Sequence, residues 1–454
     1  MPHFVRTLVT ALLLLAGAAQ AQTAPPTIKP APAPEISADD ARRDLRILKL
    51  AFAELHPGLY RSTTPAELDA EFAAADAAVA QGSSRAAMYL LASQLAAAVR
   101  CGHTWTNPYN QRADVAEKLF KRADNLPFTL RWVEGRALVT GSATPGLAAG
   151  AEVLAIDGRP VADISAALLP YLRADGEHVG SLGKRWSQLD SGPNGGAMDR
   201  LFPLRFPPQR SDGTPRYRLR VRDHAQAALR EVDVAAILGT ERDRLLPPPS
   251  TAWAFKIEGD TATLTLPTFA FWRSDFKPGA FLTQTFTALR RVPYLIIDLR
   301  DNEGGDDAIG RLVLSHLLRA PLDLPAYRVE SAYERVPYVL ARYLDTWDFG
   351  FFDRTGKVTK TNGRNWRLAD KPAGRVDPRG RPLPRSHTGA GGAAEQFGRF
   401  SAGARYPTQW RGTAGGPAHG RQPARLEWRA TGVDQPAGLG RGRGHPAHRF
   451  IRAR

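Results

Sequence analysis

The apolar positions of this chain change period along its length. From Ser37 to Arg100 they recur every three or four residues, with Leu45, Leu48, Phe52 and Leu55 on one face, which predicts a helical unit. The helix starts are marked. Ser37 stands before ADDARRDLRILKLAFAEL, Thr64 opens a capping box closed by Glu67 with Pro65 at the first helical position, and Ser84 precedes RAAMYLLASQLAAAVR. From residue 126 the period drops to two in LPFTLRWVEGRALVTG, as in paired strands. PGLAAGAEVLAIDGRPVADISAALLPYL then adds a β run, an Asp157-Gly158 turn and a helix.

Residues 176–250 are rich in Gly, Pro and Arg and weakly patterned, apart from a strand predicted at RYRLRVR (216–222). A hairpin about Gly259-Asp260 is predicted in TAWAFKIEGDTATLTLPTF, followed by a helix over about 275–290. The next stretch, YLIIDLRDNEGGDDAIG (294–310), is apolar on both strand faces through Leu299. It reads as a central, buried strand of a parallel sheet, with a helix starting near Asp306. Strand, helix, strand, helix implies an α/β layer.

The ends differ from this body. Residues 1–21 have a basic start, an apolar run from Leu8 to Ala19 and an Ala-Gln-Ala, the pattern of a secretory signal cleaved after Ala21. Residues 22–36 are a Pro/Ala-rich flexible linker. The expected location is periplasmic or secreted, with no stable membrane insertion. The net charge of +16 is concentrated at the other end: residues 371–454 hold 16 Lys and Arg against 4 Asp and Glu. The rest is nearly balanced, so nucleic acid is not an expected partner. The single cysteine, Cys101, excludes an internal disulfide framework and a cysteine-based zinc site, and no cofactor is called for.

Gly304-Gly305 at the C-terminal end of a strand permits positive φ and close backbone approach. Free N–H groups at such a bend can hold an oxyanion. An ordinary strand-to-helix turn uses the same residues, and from them alone both readings stay open. The segment with Asp157-Gly158 looks like a PDZ-type module, whose ligands add as a strand to an open sheet edge. A different small α/β domain fits the same turn.

Several separated motifs change the weighting. ELHPGLY (54–60), CGHTWTNP (101–108), the PDZ-like segment, ATLTLPTF (262–269) and LIIDLRDNEGG follow one another in the order seen in the C-terminal-processing, or tail-specific, serine peptidase family. The chain resembles that family, whose core is similar to the tricorn protease and the interphotoreceptor retinoid-binding protein. The resemblance implies an N-terminal helical domain (37–115), a PDZ-like module (120–185) and a crotonase/ClpP-like α/β catalytic core (250–370), incomplete at its C-terminus. It implies that Gly304 and Gly305 form the oxyanion hole and offers His103 as a candidate general base, with the serine–lysine pair of many relatives as the open alternative. A histidine suits that role because it titrates near neutral pH. His56 is expected to be structural. The substrate implied is a peptide or unfolded protein.

The family's nucleophile segment, Asn-Ser-Ser-Ala-x-Phe, and its later Thr-Gly-Gly-Asn-x-x-Gly-x-Asn-Gly are missing. Residues 371–454 contain nine Val, Leu, Ile or Phe and 15 Arg to one Lys, the composition of a disordered tail. Read one nucleotide later, the codons of AHGRQPARLEW (418–428) are compatible with the second motif, and those of EQFGRF (395–400) with the first. The attacking serine then falls under Phe397. A frameshift between about Arg367 and Arg379 is therefore expected, leaving an out-of-frame basic tail and a peptidase inactive as written. The alternative is a non-catalytic periplasmic protein that binds peptides through the PDZ-like module.

Overall fold

The computed structural model describes residues 34–380 and Phe450–Ile451, except residues 177–184, 193–195, 247–251, 272–273, 300–301, 303, 325–328, 347, 362 and 369–373. The expected signal segment, most of the expected linker and the expected nucleophile position near Phe397 lie outside the described residues.

Helices α1 (Ala38–Leu55), α2 (Pro65–Ala78) and α3 (Arg85–Ala98) begin where their caps predicted. The Ser37, Thr64 and Ser84 hydroxyls accept backbone N–H groups of Asp40, Glu67 and Ala87 at 3.1–3.2 Å, which satisfies donors that the first helical turn leaves orphaned. The predicted face, with Leu45 and Phe52, packs with Leu59, Leu68, Phe72 and Leu95 into one core. A fourth helix, α4 (Ala113–Phe120), turns Leu119 and Phe120 toward the next unit.

That unit is a seven-stranded antiparallel sheet. Strands β1 (Phe128–Val133), β2 (Arg136–Ser142), β3 (Glu152–Ile156), β6 (Thr214–Arg222) and β5 (Gln209–Ser211) lie in the order β1-β2-β3-β6-β5. Strand β4 (Arg159–Pro160) pairs with β3, and β7 (Arg230–Ala235) pairs with β6. Helix α5 (Val161–Leu168) buries Ile164 and Leu168 in the same core. The module was expected to end at residue 185, and the sheet instead runs on to Ala235. The reason is the alternation in RYRLRVR: Tyr217, Leu219 and Val221 all face inward and are fully buried, which makes β6 an interior strand. Behind it, buried Arg242 donates from Nε to Asp199 Oδ1 at 3.0 Å, and its guanidinium also donates to the Leu126 carbonyl at 2.8 Å.

The third unit carries the glycine turn. Strands β8 (Ala254–Glu258) and β9 (Thr261–Thr265) form the predicted hairpin, and β10 (Tyr294–Asp298) joins β9 in parallel, with Leu264 opposite Ile297. Helices α6 (Pro278–Leu289) and α7 (Asp307–Leu317) cover the face that bears Ala262, Leu264, Leu295 and Ile297.

The expectation of a central strand buried on both faces is corrected here. Among the described residues β10 is an edge strand, and its second face is open: Tyr294 and Ile296 are each 53% exposed. The neighbouring strand places Thr261, Thr263 and Thr265 on that same face, a row suited to water. The expected start of the tail is also too early. Arg375–Val376 pairs with Leu322–Asp323, Val376 is buried in the third core, and Arg379 N–H reaches the Ser315 carbonyl at 2.7 Å. One apolar side chain in a basic stretch suffices to anchor it. Farther on, Phe450–Ile451 makes a two-residue antiparallel pairing with Leu344–Asp345, outside the larger sheets. No helix among the described residues is long and apolar enough to cross a membrane.

Candidate active site

The glycine turn is tied to the segment after β9. Leu266 N–H donates to the Asp298 carbonyl at 2.9 Å, Phe269 N–H to Gly304 at 2.9 Å, and Asp306 N–H to Phe269 at 3.0 Å. The Asn302 side chain bridges both strands of the turn. Its Nδ2 donates to the Leu266 carbonyl, and its Oδ1 accepts the Gly304 N–H, each at 2.7 Å. Asp306 caps α7 by accepting the Ala308 N–H at 2.8 Å. Trp253, buried against Phe269, fixes the far side through its indole N–H to the Thr268 carbonyl at 2.8 Å.

The two glycines differ. Gly304 has φ +96° and open space where a Cβ would stand. Gly305 has φ +143°, and a Cβ there would lie 2.2 Å from the Phe269 carbonyl carbon. Only glycine fits Gly305, on both counts. Their amides differ too. The Gly304 N–H is engaged by Asn302, whereas the Gly305 N–H makes no hydrogen bond among the described residues. A donor held without an acceptor at the C-terminal end of a parallel strand is the arrangement that receives a developing oxyanion.

His103 sits elsewhere, on the exposed loop after α3. This loop is held against α1 by a hydrogen bond between His56 Nε2 and Thr104 Oγ1, 3.0 Å apart, so the HPGLY and GHT motifs meet in space. Burial, with Arg61 and Arg364 nearby, pushes the His56 imidazole down to about 4, and it is neutral at pH 7. Arg364 donates to the Ala53 carbonyl, and Asn365 Nδ2 donates to Pro57 O at 3.0 Å and to Glu330 Oε2 at 2.7 Å. Arg364 and Asn365 thereby clasp the end of α1 and the HPGLY segment after it, a connection for which the sequence offers no signal.

Cys101, His103, Thr104 and His56 stand at the wall of a cavity of about 240 Å³, floored by α1, α3 and α4 and flanked by Tyr343, Leu344, Asp345, Thr346 and Phe351. None of its lining residues belongs to the glycine turn. The described contacts thus leave the expected site residues in two settings, His103 at the cavity wall and Gly304-Gly305 at the turn after β10.

The seven-stranded sheet bears on the alternative function. The outer edge of β1 is closed by the chain itself: Leu130 N–H donates to Ser191 Oγ at 3.0 Å, Trp132 N–H to Asp190 Oδ1 at 2.7 Å, and Ser191 N–H to the Leu130 carbonyl at 2.7 Å. Among the described residues these bonds occupy the outer edge of β1 at Leu130 and Trp132, where an added strand would pair.

No protein-family model matches the chain, and no curated protein sequence matches it. Among solved structures it is similar to mature CPAF complexed with lactacystin, at 17% identity, over 64% of this chain and 62% of that one, with a TM-score of 0.43. The photosystem II D1 C-terminal processing protease is similar at 12% identity, over 80% of this chain and 78% of that one, with a TM-score of 0.28. A putative S41 protease from Bacteroides fragilis is similar at 14% identity, over 48% and 56%, with a TM-score of 0.18. The chain spans about three fifths of the length of the CPAF structure that it matches.

Proposed function

We propose that this chain is the product of an exported serine peptidase gene of the tail-specific type, out of frame near its C-terminus and inactive as written. In the intact product a serine in the region of Phe397 attacks the peptide carbonyl, His103 takes its proton, and the carbonyl oxygen moves toward the Gly305 amide, with Gly304 shaping the turn. The C–N bond then breaks as His103 returns the proton to the leaving amine, and water hydrolyses the acyl-enzyme to release the carboxylic acid and the serine.

The observation that carries this reading is the Gly305 amide. It is a donor without an acceptor among the described residues, on a turn that only glycine can make. The open side of β10 supports the missing-segment part of the reading. On that face the threonines of β9 tolerate water, but Tyr294 and Ile296 of β10 stand half exposed beside an unpaired strand edge, where a further segment would cover them. We place the frame change after Val376, because Val376 still packs with the core.

The test is a fluorophosphonate probe applied to two secreted products, the chain as written and a chain restored to frame after codon 376. Labelling of the restored chain alone is expected. If the restored chain is not labelled, the peptidase reading fails. Loss of labelling in restored His103→Ala supports the serine–histidine mechanism, and unchanged labelling assigns the base to another residue.

A further inference from the structure

The cavity beside His103 has a chemistry of its own. Its walls are apolar: Leu48 and Phe52 from α1, Met88 and Ala92 from α3, Leu119 from α4, and Phe351. Its volume, about 240 Å³, is below the range of about 300–1,000 Å³ that holds a whole drug-sized ligand. It suits one large side chain. Its charges do not converge on an ion: Arg85 is paired to Glu35 at 3.0 Å, and Asp44 and Asp345 stand on the same lining. An anionic head group would meet two carboxylates, and a cation would be desolvated against leucine, phenylalanine and methionine.

One polar atom is left over. His56 lines the cavity, and its Nδ1 is buried with no hydrogen-bond partner. Its other nitrogen is committed to Thr104. Whichever tautomer the Thr104 hydroxyl selects, Nδ1 needs either a donor or an acceptor. Reaching it requires the His56 ring to turn toward the cavity, where a peptide backbone offers both a donor and an acceptor, one residue apart.

We propose that this cavity is a specificity pocket for one large apolar side chain, of the leucine, methionine or phenylalanine class, on an extended peptide whose backbone passes His56 and His103. The proposal rests on the peptidase reading for the identity of its ligand as a peptide. The pocket itself lies entirely within the described, in-frame part of the chain.

Cys101 makes the test direct. It is the only cysteine, it lines the cavity, and it is free. Alkylation of the mature full-length chain by N-ethylmaleimide is timed in the presence of acetyl-Ala-Ala-Phe-Ala-Ala-amide, or of the same peptide with Ala or Asp at the centre. The Phe peptide should protect Cys101 at a concentration at least about tenfold lower than the Ala peptide, the ratio expected for burying one aromatic side chain. The Asp peptide should not protect. Ala92→Phe, which fills the cavity, should abolish protection by the Phe peptide; Ala92→Leu serves where the larger variant unfolds by circular dichroism. Equal protection by all three peptides, no protection by any, or undiminished protection in the folded filled variant overturns the pocket. The readout needs no serine. Selective protection without fluorophosphonate labelling of the restored chain leaves the pocket standing and removes the peptidase. Labelling with unselective protection removes the pocket alone.

Discussion

Asn302 Oδ1 accepts the Gly304 N–H at 2.7 Å, while the amide of Gly305, one residue on, has no acceptor among the described residues. One side chain therefore sorts the two adjacent donors into a structural and an available one. The same Asn302 donates to the Leu266 carbonyl at 2.7 Å, so the turn is held at the end of β9 rather than by its own loop alone. Asn302→Ala removes both bonds and leaves a donor and an acceptor partly buried. A loss of about 1–3 kcal/mol is expected in urea unfolding of the full chain. A loss below the error of the extrapolation would mean that water replaces the clamp.

The two glycines should respond unequally to the same substitution. Gly304→Ala adds a methyl into open space, at a φ that costs of order 1–3 kcal/mol for a non-glycine residue. Gly305→Ala meets that strain and in addition drives a Cβ to 2.2 Å from the Phe269 backbone. Its urea midpoint should fall well below that of Gly304→Ala. Equal midpoints would show that the segment after β9 moves aside freely.

Ile296 and Leu264 lie on neighbouring strands of one sheet, with one half in water and the other fully buried. Leu264→Ala should cost about 2–5 kcal/mol, as for other buried leucines. Ile296→Ala should cost under about 1 kcal/mol, because surface substitutions seldom cost more. Comparable losses would place a covering layer over β10.

His56 gives the fold a pH dependence of known sign. Its imidazole titrates near 6.5 when unfolded and is pushed down to about 4 when folded. Between those values the unfolded chain takes up a proton that the folded chain refuses. Stability is then full above about pH 6.5 and falls as pH drops toward 4, by up to about 3 kcal/mol. The wild type should lose more stability between pH 7 and pH 5 than His56→Gln does, measured by urea unfolding at each pH. Parallel profiles would assign the acid sensitivity to other groups.

Arg242 and Asp199 form a buried pair beneath the seven-stranded sheet, both almost wholly removed from water. Asp199→Ala leaves the guanidinium without its counter-charge and should destabilise by about 3–5 kcal/mol. Thermal unfolding of the variant, followed by circular dichroism, checks it.

Local chemistry was legible in the sequence. Ser37, Thr64 and Ser84 start their helices, Gly259-Asp260 turns the hairpin, and Asp306 caps α7, because each depends on a few adjacent residues whose side chains meet their own backbone. The glycine turn was visible for the same reason: two glycines after an apolar strand allow few other conformations.

Burial on the second face of 294–298 could not be read locally, since it depends on what lies beyond the strand. Nor could the sequence show that RYRLRVR belongs inside the first sheet, that Val376 still packs, or that Asp190 and Ser191 close β1. Each of these joins segments far apart in the chain. The free Gly305 amide and the bound Gly304 amide look alike as letters. Only the tertiary structure, by carrying Leu266 and Asn302 to the same place, decided which of the two donors remains available.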